Sequence, residues 1–121
     1  MKYSVAKHVT LGVLLLILNF DSLATVITVT NNNDTGPGSL RLAITAAAPD
    51  DTIKFHVDLT GIIAISSTYT IAKNLTIIGH SPKLTKIDGG GTIQIFNIIP
   101  GGFSLILQKI TLQRAASNIA K

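Results

Sequence analysis

The feature that most restricts this chain is its second half, a succession of short β-branched and aliphatic runs cut by glycine. The candidate strands are Ile53 to Val57, Ile62 to Ser66, Tyr69 to Ala72, Leu75 to Ile78, Leu84 to Ile87, Ile93 to Ile98, Leu105 to Leu107 and Ile110 to Leu112. Gly61, Gly79, Gly89-Gly90-Gly91 and Pro100-Gly101-Gly102 punctuate them. Runs this short cannot be helices of useful length, and turns at intervals of about 8–12 residues fit a sandwich, a barrel or a β-helix. Period alone does not separate the three. In Ile53-Lys54-Phe55-His56-Val57 the alternation places Ile53, Phe55 and Val57 on one face and Lys54, His56 and Asp58 on the other. The change of parity between Ile93/Ile95 and Phe96/Ile98 points to a bend or bulge. Asn74-Leu75-Thr76-Ile77 echoes Lys109-Ile110-Thr111-Leu112, with Leu84-Thr85-Lys86-Ile87 between them, and recurrent units of this kind suit stacked coils.

Ahead of this half lies a different pattern. Val26-Ile27-Thr28-Val29-Thr30 is a β-branched strand signal, and Asn31 to Gly38 is composed of turn formers. Ser39 is placed as a helix N-cap, and Leu40, Ala43, Ile44 and Ala47 form one apolar stripe at helical spacing that Pro49 brings to an end. Arg41 lies off the stripe, with Asp34, Asp50 and Asp51 as candidate partners.

Residues 1–24 read as a secretory signal peptide. Lys2 and Lys7 lie in the n-region, Leu11 to Leu18 forms the apolar stretch, and Ser22-Leu23-Ala24 offers small residues for cleavage before Thr25. The competing reading is a transmembrane anchor, which needs about 20 apolar residues. This run is interrupted at Asn19 and Asp21. The expected organisation is a signal peptide over 1–24, a strand–turn–helix cap over 25–52, and coils over 53–121.

Asn33-Asp34-Thr35-Gly36-Pro37-Gly38-Ser39-Leu40-Arg41-Leu42-Ala43-Ile44, followed by Asp51-Thr52-Ile53-Lys54-Phe55, resembles the start of bacterial right-handed parallel β-helix surface proteins of the pectate-lyase-like superfold. Polymorphic outer-membrane-protein-like and autotransporter-adhesin-like chains are of this kind. Asn74 to Gly79, Ile87 to Gly91, Phe96-Asn97-Ile98 and Ile110-Thr111-Leu112 match that family's first coils in order, so the resemblance spans roughly residues 26–113. Gly38 and Leu42 depart from a common variant of the cap motif that has Cys and Glu there. The family also continues for more coils than fit before Lys121. The resemblance implies an all-β parallel β-helix whose first coil is covered by a capping strand and a short amphipathic helix. It also implies an exported, surface-displayed, adhesin-like role with host-surface or polysaccharide ligands, membrane involvement only through export or attachment, and self-association at an uncapped C-terminal end. The missing second cap makes a truncated, split or pairing member the expectation.

Chemistry is sparse. Arg41, Lys54, Lys73, Lys83, Lys86, Lys109, Arg114 and Lys121 form no run, and aromatics are 5% of the chain, so no nucleic-acid partner is expected. The chain contains no cysteine, which excludes disulfides and thiolate chemistry. The expectation is therefore of no catalytic residues, no cofactor and no metal. Asp50-Asp51 and Asp88 read as turn formers and Asp58 stands alone. His8, His56 and His80 lack ligand spacing, Ser39 and Ser66-Ser67 lack a His/Asp set, and the glycine triplet lacks the lysine of a phosphate loop. Asn33-Asp34-Thr35 and Asn74-Leu75-Thr76 match the glycosylation sequon. The rival to a non-catalytic surface protein is the leading portion of a polysaccharide lyase or glycoside hydrolase. Ile87-Asp88-Gly89-Gly90-Gly91 resembles an early motif of polygalacturonase-like chains.

Overall fold

A computed structural model describes residues 23–117. The expected signal peptide falls almost wholly outside these residues. Within them the chain is a parallel β-solenoid of about three turns carrying one short helix.

The strands are β1 (Val26–Val29), β2 (Thr52–Phe55), β3 (Gly61–Ala64), β4 (Tyr69–Ile71), β5 (Leu75–Ile78), β6 (Thr85–Asp88), β7 (Phe96–Ile98), β8 (Leu105–Gln108) and β9 (Thr111–Gln113), with helix α1 (Leu40–Ala46) after β1. They make three parallel sheets. Sheet A has the order β1-β2-β5-β8, sheet B β3-β6-β9, and sheet C β4-β7. No strand pairs with its neighbour in sequence, apart from β1 with β2 across the helix. Each instead pairs with the strand one full turn later, as a coil requires.

Register sets the core. Ile27 pairs with Ile53, Ile53 with Ile77, and Ile77 with Leu107. Ile63 lies over Ile87 in sheet B, and Tyr69 over Phe96 in sheet C, where the rings stack with centroids 5.3 Å apart. Ile53, Ile71, Ile77 and Ile87 are wholly inaccessible to solvent. Alternation sends Lys54 and Thr70 outward from the same strands.

The cap forms as its residues dictate. Ser39 has extended backbone and its Oγ accepts from the Leu42 amide at 3.2 Å, closing the first turn of α1. Leu40, Ala43, Ile44 and Ala47 are all buried, so the stripe faces the interior, where α1 packs against β1 and β4. The helix stops at Ala46, and Ala47 is already extended two residues before Pro49. Lys73 Nζ donates to the Ala47 carbonyl there, supplying an acceptor-rich helix end with a cation.

The coils differ from the sequence expectations in four places. The strand at Ile53 ends at Phe55, because Leu59 donates to the His56 carbonyl at 2.9 Å and turns the chain. Val57 is therefore 64% exposed and does not join Ile53 and Phe55. Leu84 likewise lies outside its strand, with Thr85 and Ile87 pointing inward. The bend expected at the parity change of 93–98 is present as a corner and shortens the strand expected over Ile93 to Ile98: Ile93 donates back to the Gly89 carbonyl and only Phe96–Ile98 is strand. Last, the echo between Asn74–Ile77 and Lys109–Leu112 is not a stacking repeat. β5 lies in sheet A over β8, whereas β9 lies in sheet B over β6.

The two ends of the described coils are unlike. α1 covers the first, whereas at the last Leu105, Leu107 and Ile110 are half-buried and Ile106 and Leu112 are exposed.

Ile77 sits in the middle of the longest aliphatic stack. Ile77→Ala is expected to cost about 2–5 kcal/mol of unfolding free energy. The outward Thr70→Ala is expected to cost less than about 0.5 kcal/mol. Chemical denaturation of the two variants measures the difference, and equal losses would contradict the register.

Candidate functional site

A solenoid of three sheets has three corners per turn, and the polar chemistry of this chain is gathered at them. The corner between sheets B and C holds two arginine–carboxylate clusters. In the first, Arg41 from α1 donates through Nε and Nη2 to Asp34 Oδ1, at 3.3 and 2.8 Å. The other carboxylate oxygen accepts the Ser66 amide at 3.0 Å and the Ser66 hydroxyl. The same guanidinium donates to the carbonyls of Ser67 and Thr68 and lies 4.5 Å above the Tyr69 ring. Partial burial pushes the Asp34 carboxyl up, but the hydrogen bonds from Ser66 and Arg41 outweigh it and hold the group below its ordinary value. Burial pushes the Tyr69 hydroxyl well above its ordinary value, and among the described residues it has no hydrogen-bond partner.

In the second cluster Arg114 Nε lies 2.9 Å from both oxygens of Asp88, and Nη2 is 2.8 Å from Oδ2. Gln113 adds a bond to Oδ2 at 2.7 Å and the Gly90 amide one to Oδ1 at 2.7 Å. These donors, Arg114 first, bring the Asp88 carboxyl down to about 2. The side chain is 4% exposed, with Arg114 lying over it.

At the corner between sheets C and A, Asp51 accepts the Thr25 amide at 2.7 Å and the Ala48 amide at 2.8 Å, which lowers its pKa. Asp50 occupies the left-handed region at φ 69°. Asn74 reaches the next coil by accepting the Ser104 amide at 3.0 Å.

Chemically these are joints. Asp34, Asp51 and Asp88 are held below the ordinary carboxylate range, and each has both oxygens engaged by protein donors. Asp34 joins cap to coil, Asp88 joins two coils, and Asp51, just before β2, ties the residues ahead of β1 and after α1 to the start of the first coil. The reading of Asp50-Asp51 and Asp88 as turn formers covers only part of their role. Asp88 does close its own turn through Gly90, but its stronger partners lie a whole coil away. Arg41 takes Asp34 from its three candidate partners. His56 and Asp58 approach to 3.7 Å on the surface, both exposed, and His80 stands apart. Ser39 serves the N-cap and Ser66 serves Asp34. Among the described residues no three or more His, Asp, Glu or Cys side chains converge as metal ligands. A shallow groove between β1 and α1, lined by Ile27, Thr28, Leu42 and Ala46, carries no titratable group.

Sequence reasoning missed the Asp88–Arg114 contact, whose only trace is a separation of 26 residues, close to one turn of the coil. Comparison with family models, with curated proteins and with solved structures returns no match.

The Asp88 cluster gives a pH dependence. Its carboxyl binds a proton less readily folded than unfolded, where aspartate titrates near 3.9. Its contribution is complete above about pH 4 and disappears as pH falls toward about 2. Asp88→Asn is expected to melt lower than the parent at pH 7 and to lose less stability between pH 4 and 2. Thermal melts across that window check this, and parallel curves for the two proteins would contradict it.

Proposed function

We propose that this chain is an exported, non-catalytic β-helix protein of the surface type, forming the capped starting end of a solenoid that displays a polar, repetitive face. The observation that carries this reading is how the ionisable groups are used. Asp34, Asp51 and Asp88 hold coil to coil and cap to coil, with both oxygens of each satisfied. A polysaccharide lyase or glycoside hydrolase needs carboxylates free to bind Ca²⁺ or to exchange protons with a sugar. Among the described residues the remaining acids, Asp50 and Asp58, lie at different corners of the coil, one between sheets C and A and the other between sheets A and B. The lidded first coil supports the surface-protein reading. A helix over the rung ends blocks the edge-to-edge pairing that bare strands invite, which suits a domain presented in isolation from its neighbours. Outward pairs such as Thr52 with Thr76, and Thr70 with Asn97, set polar side chains one above the other in successive coils. A ligand with its own repeat, such as a host-surface glycan or polysaccharide, could engage several of them weakly at once.

Export is tested by expressing the full chain with a C-terminal epitope in a bacterial host. The expected product begins at Thr25 and is recovered outside the cytoplasm. An intact amino terminus on cytoplasmic protein would contradict the proposal. So would depolymerisation of pectin or a related polysaccharide by the purified product.

A further inference from the structure

The corner between sheets A and B is unlike the other two. It is built from His56–Thr60 between β2 and β3, Gly79–Leu84 between β5 and β6, and Lys109-Ile110 between β8 and β9. These turns are stacked. Gly61 donates to the Leu84 carbonyl at 2.9 Å, Gly79 to the Gln108 carbonyl at 2.8 Å, and the Thr111 hydroxyl to the Pro82 carbonyl at 2.7 Å. Gly79 lies directly against Lys109, where a Cβ would collide with the lysine's carbonyl oxygen.

Lysines that are scattered in sequence are gathered here. Lys83 and Lys109 lie in the turns, Lys54 is the penultimate residue of β2, and Lys86 is the second residue of β6. Among the described residues none of the four is within ion-pair distance of a carboxylate. The other lysines and arginines of the described residues are used elsewhere: Arg41 and Arg114 on Asp34 and Asp88, and Lys73 on the Ala47 carbonyl. The single acid on this edge is Asp58, beside His56.

Exposed aliphatic side chains share the edge. Val57 is 64% exposed, Ile62 48% and Leu84 37%. Ile62 pairs with Lys86, and Leu84 follows Lys83 and touches Gly61 through the backbone. Among the described residues the remaining large exposed aliphatics belong to the segment up to α1 or to the last coil, with Val26 and Ile106 on the outer face of sheet A; at the corner between sheets A and B apolar exposure coincides with unpaired cations.

We infer that this ridge is a docking surface for an anionic lipid bilayer. Lysines with long apolar stems can reach phosphate headgroups while Val57, Ile62 and Leu84 enter the boundary between headgroups and acyl chains. A soluble polyanion would be held by the charges alone and gives no use to the exposed aliphatics. Among the described residues no aromatic ring is fully exposed for stacking nucleic-acid bases. The inference does not depend on export, since it concerns only which edge meets a membrane.

A local probe tests it in the full chain, which has no tryptophan of its own. Val57→Trp reports on the ridge and Thr70→Trp on sheet C, away from it. With phosphatidylcholine vesicles containing phosphatidylglycerol, Val57→Trp emission is expected to shift to the blue and to be quenched by brominated lipid, and Thr70→Trp emission is not. Replacing Lys54, Lys83, Lys86 and Lys109 together by Gln in Val57→Trp is expected to raise the lipid needed several hundredfold, about fivefold per lysine, and replacement by Arg to leave it unchanged. No shift at Val57→Trp, an equal shift at Thr70→Trp or with phosphatidylcholine alone, or indifference to the Gln replacements would overturn the inference. A Val57→Trp signal that ignores vesicles but responds to dextran sulfate would assign the ridge to a soluble polyanion and overturn it equally.

Discussion

The parallel backbone ladder between successive coils is the interaction on which everything else in this structure rests. A strand of three or four residues has too little surface to persist alone, and short hairpins in water are at best marginal. Here each short strand is bonded along an edge to the strand one turn away, and the same pairing sets Ile53 between Ile27 and Ile77. The ladder and the core are therefore one arrangement seen from two sides. A slip of a single residue would turn every inward isoleucine outward and break the aliphatic stack together with the hydrogen bonds.

Corners make that arrangement possible without cysteine. A turn between parallel strands exposes backbone groups that the ladder does not satisfy, and the chain answers with side chains from the adjoining coil. Asp51 takes two amides at one corner, and Asp34 and Asp88 take arginine and amide donors at another. Arg41 joins the cap to the first coil by holding Asp34 and the Ser67 and Thr68 carbonyls together. Asp34, Asp51 and Asp88 thus serve the scaffold, while Lys54, Lys83, Lys86 and Lys109 at the remaining corner have no carboxylate partner among the described residues.

Much of this was legible in the residues themselves. The N-cap at Ser39, the buried stripe of α1 and the positions of the strands follow from local rules, since β-branched runs, turn formers and helical spacing act over a few residues. What sequence could not supply was vertical. Sheet membership depends on how many residues each corner consumes, so Thr76 and Thr111, alike in their local context, end in different sheets. Strand ends differ at Val57 and Leu84 for a related reason, because the backbone turns at His56 after β2 and reaches sheet B only at Thr85. The same blindness hid the partnership of Asp88 with Arg114, and it hid the gathering of Lys54, Lys83, Lys86 and Lys109, which share a ridge only after the chain has been wound.

Interstrand nuclear Overhauser contacts in a uniformly labelled sample test the winding most directly. Parallel coils predict side-chain contacts from Ile53 to Ile77 and from Ile77 to Leu107, with backbone contacts of the parallel kind between Thr52–Lys54 and Thr76–Ile78. Close contacts between α-protons of consecutive strands, such as Thr52–Phe55 against Gly61–Ala64, would mean antiparallel hairpins of a barrel or sandwich and would contradict the account.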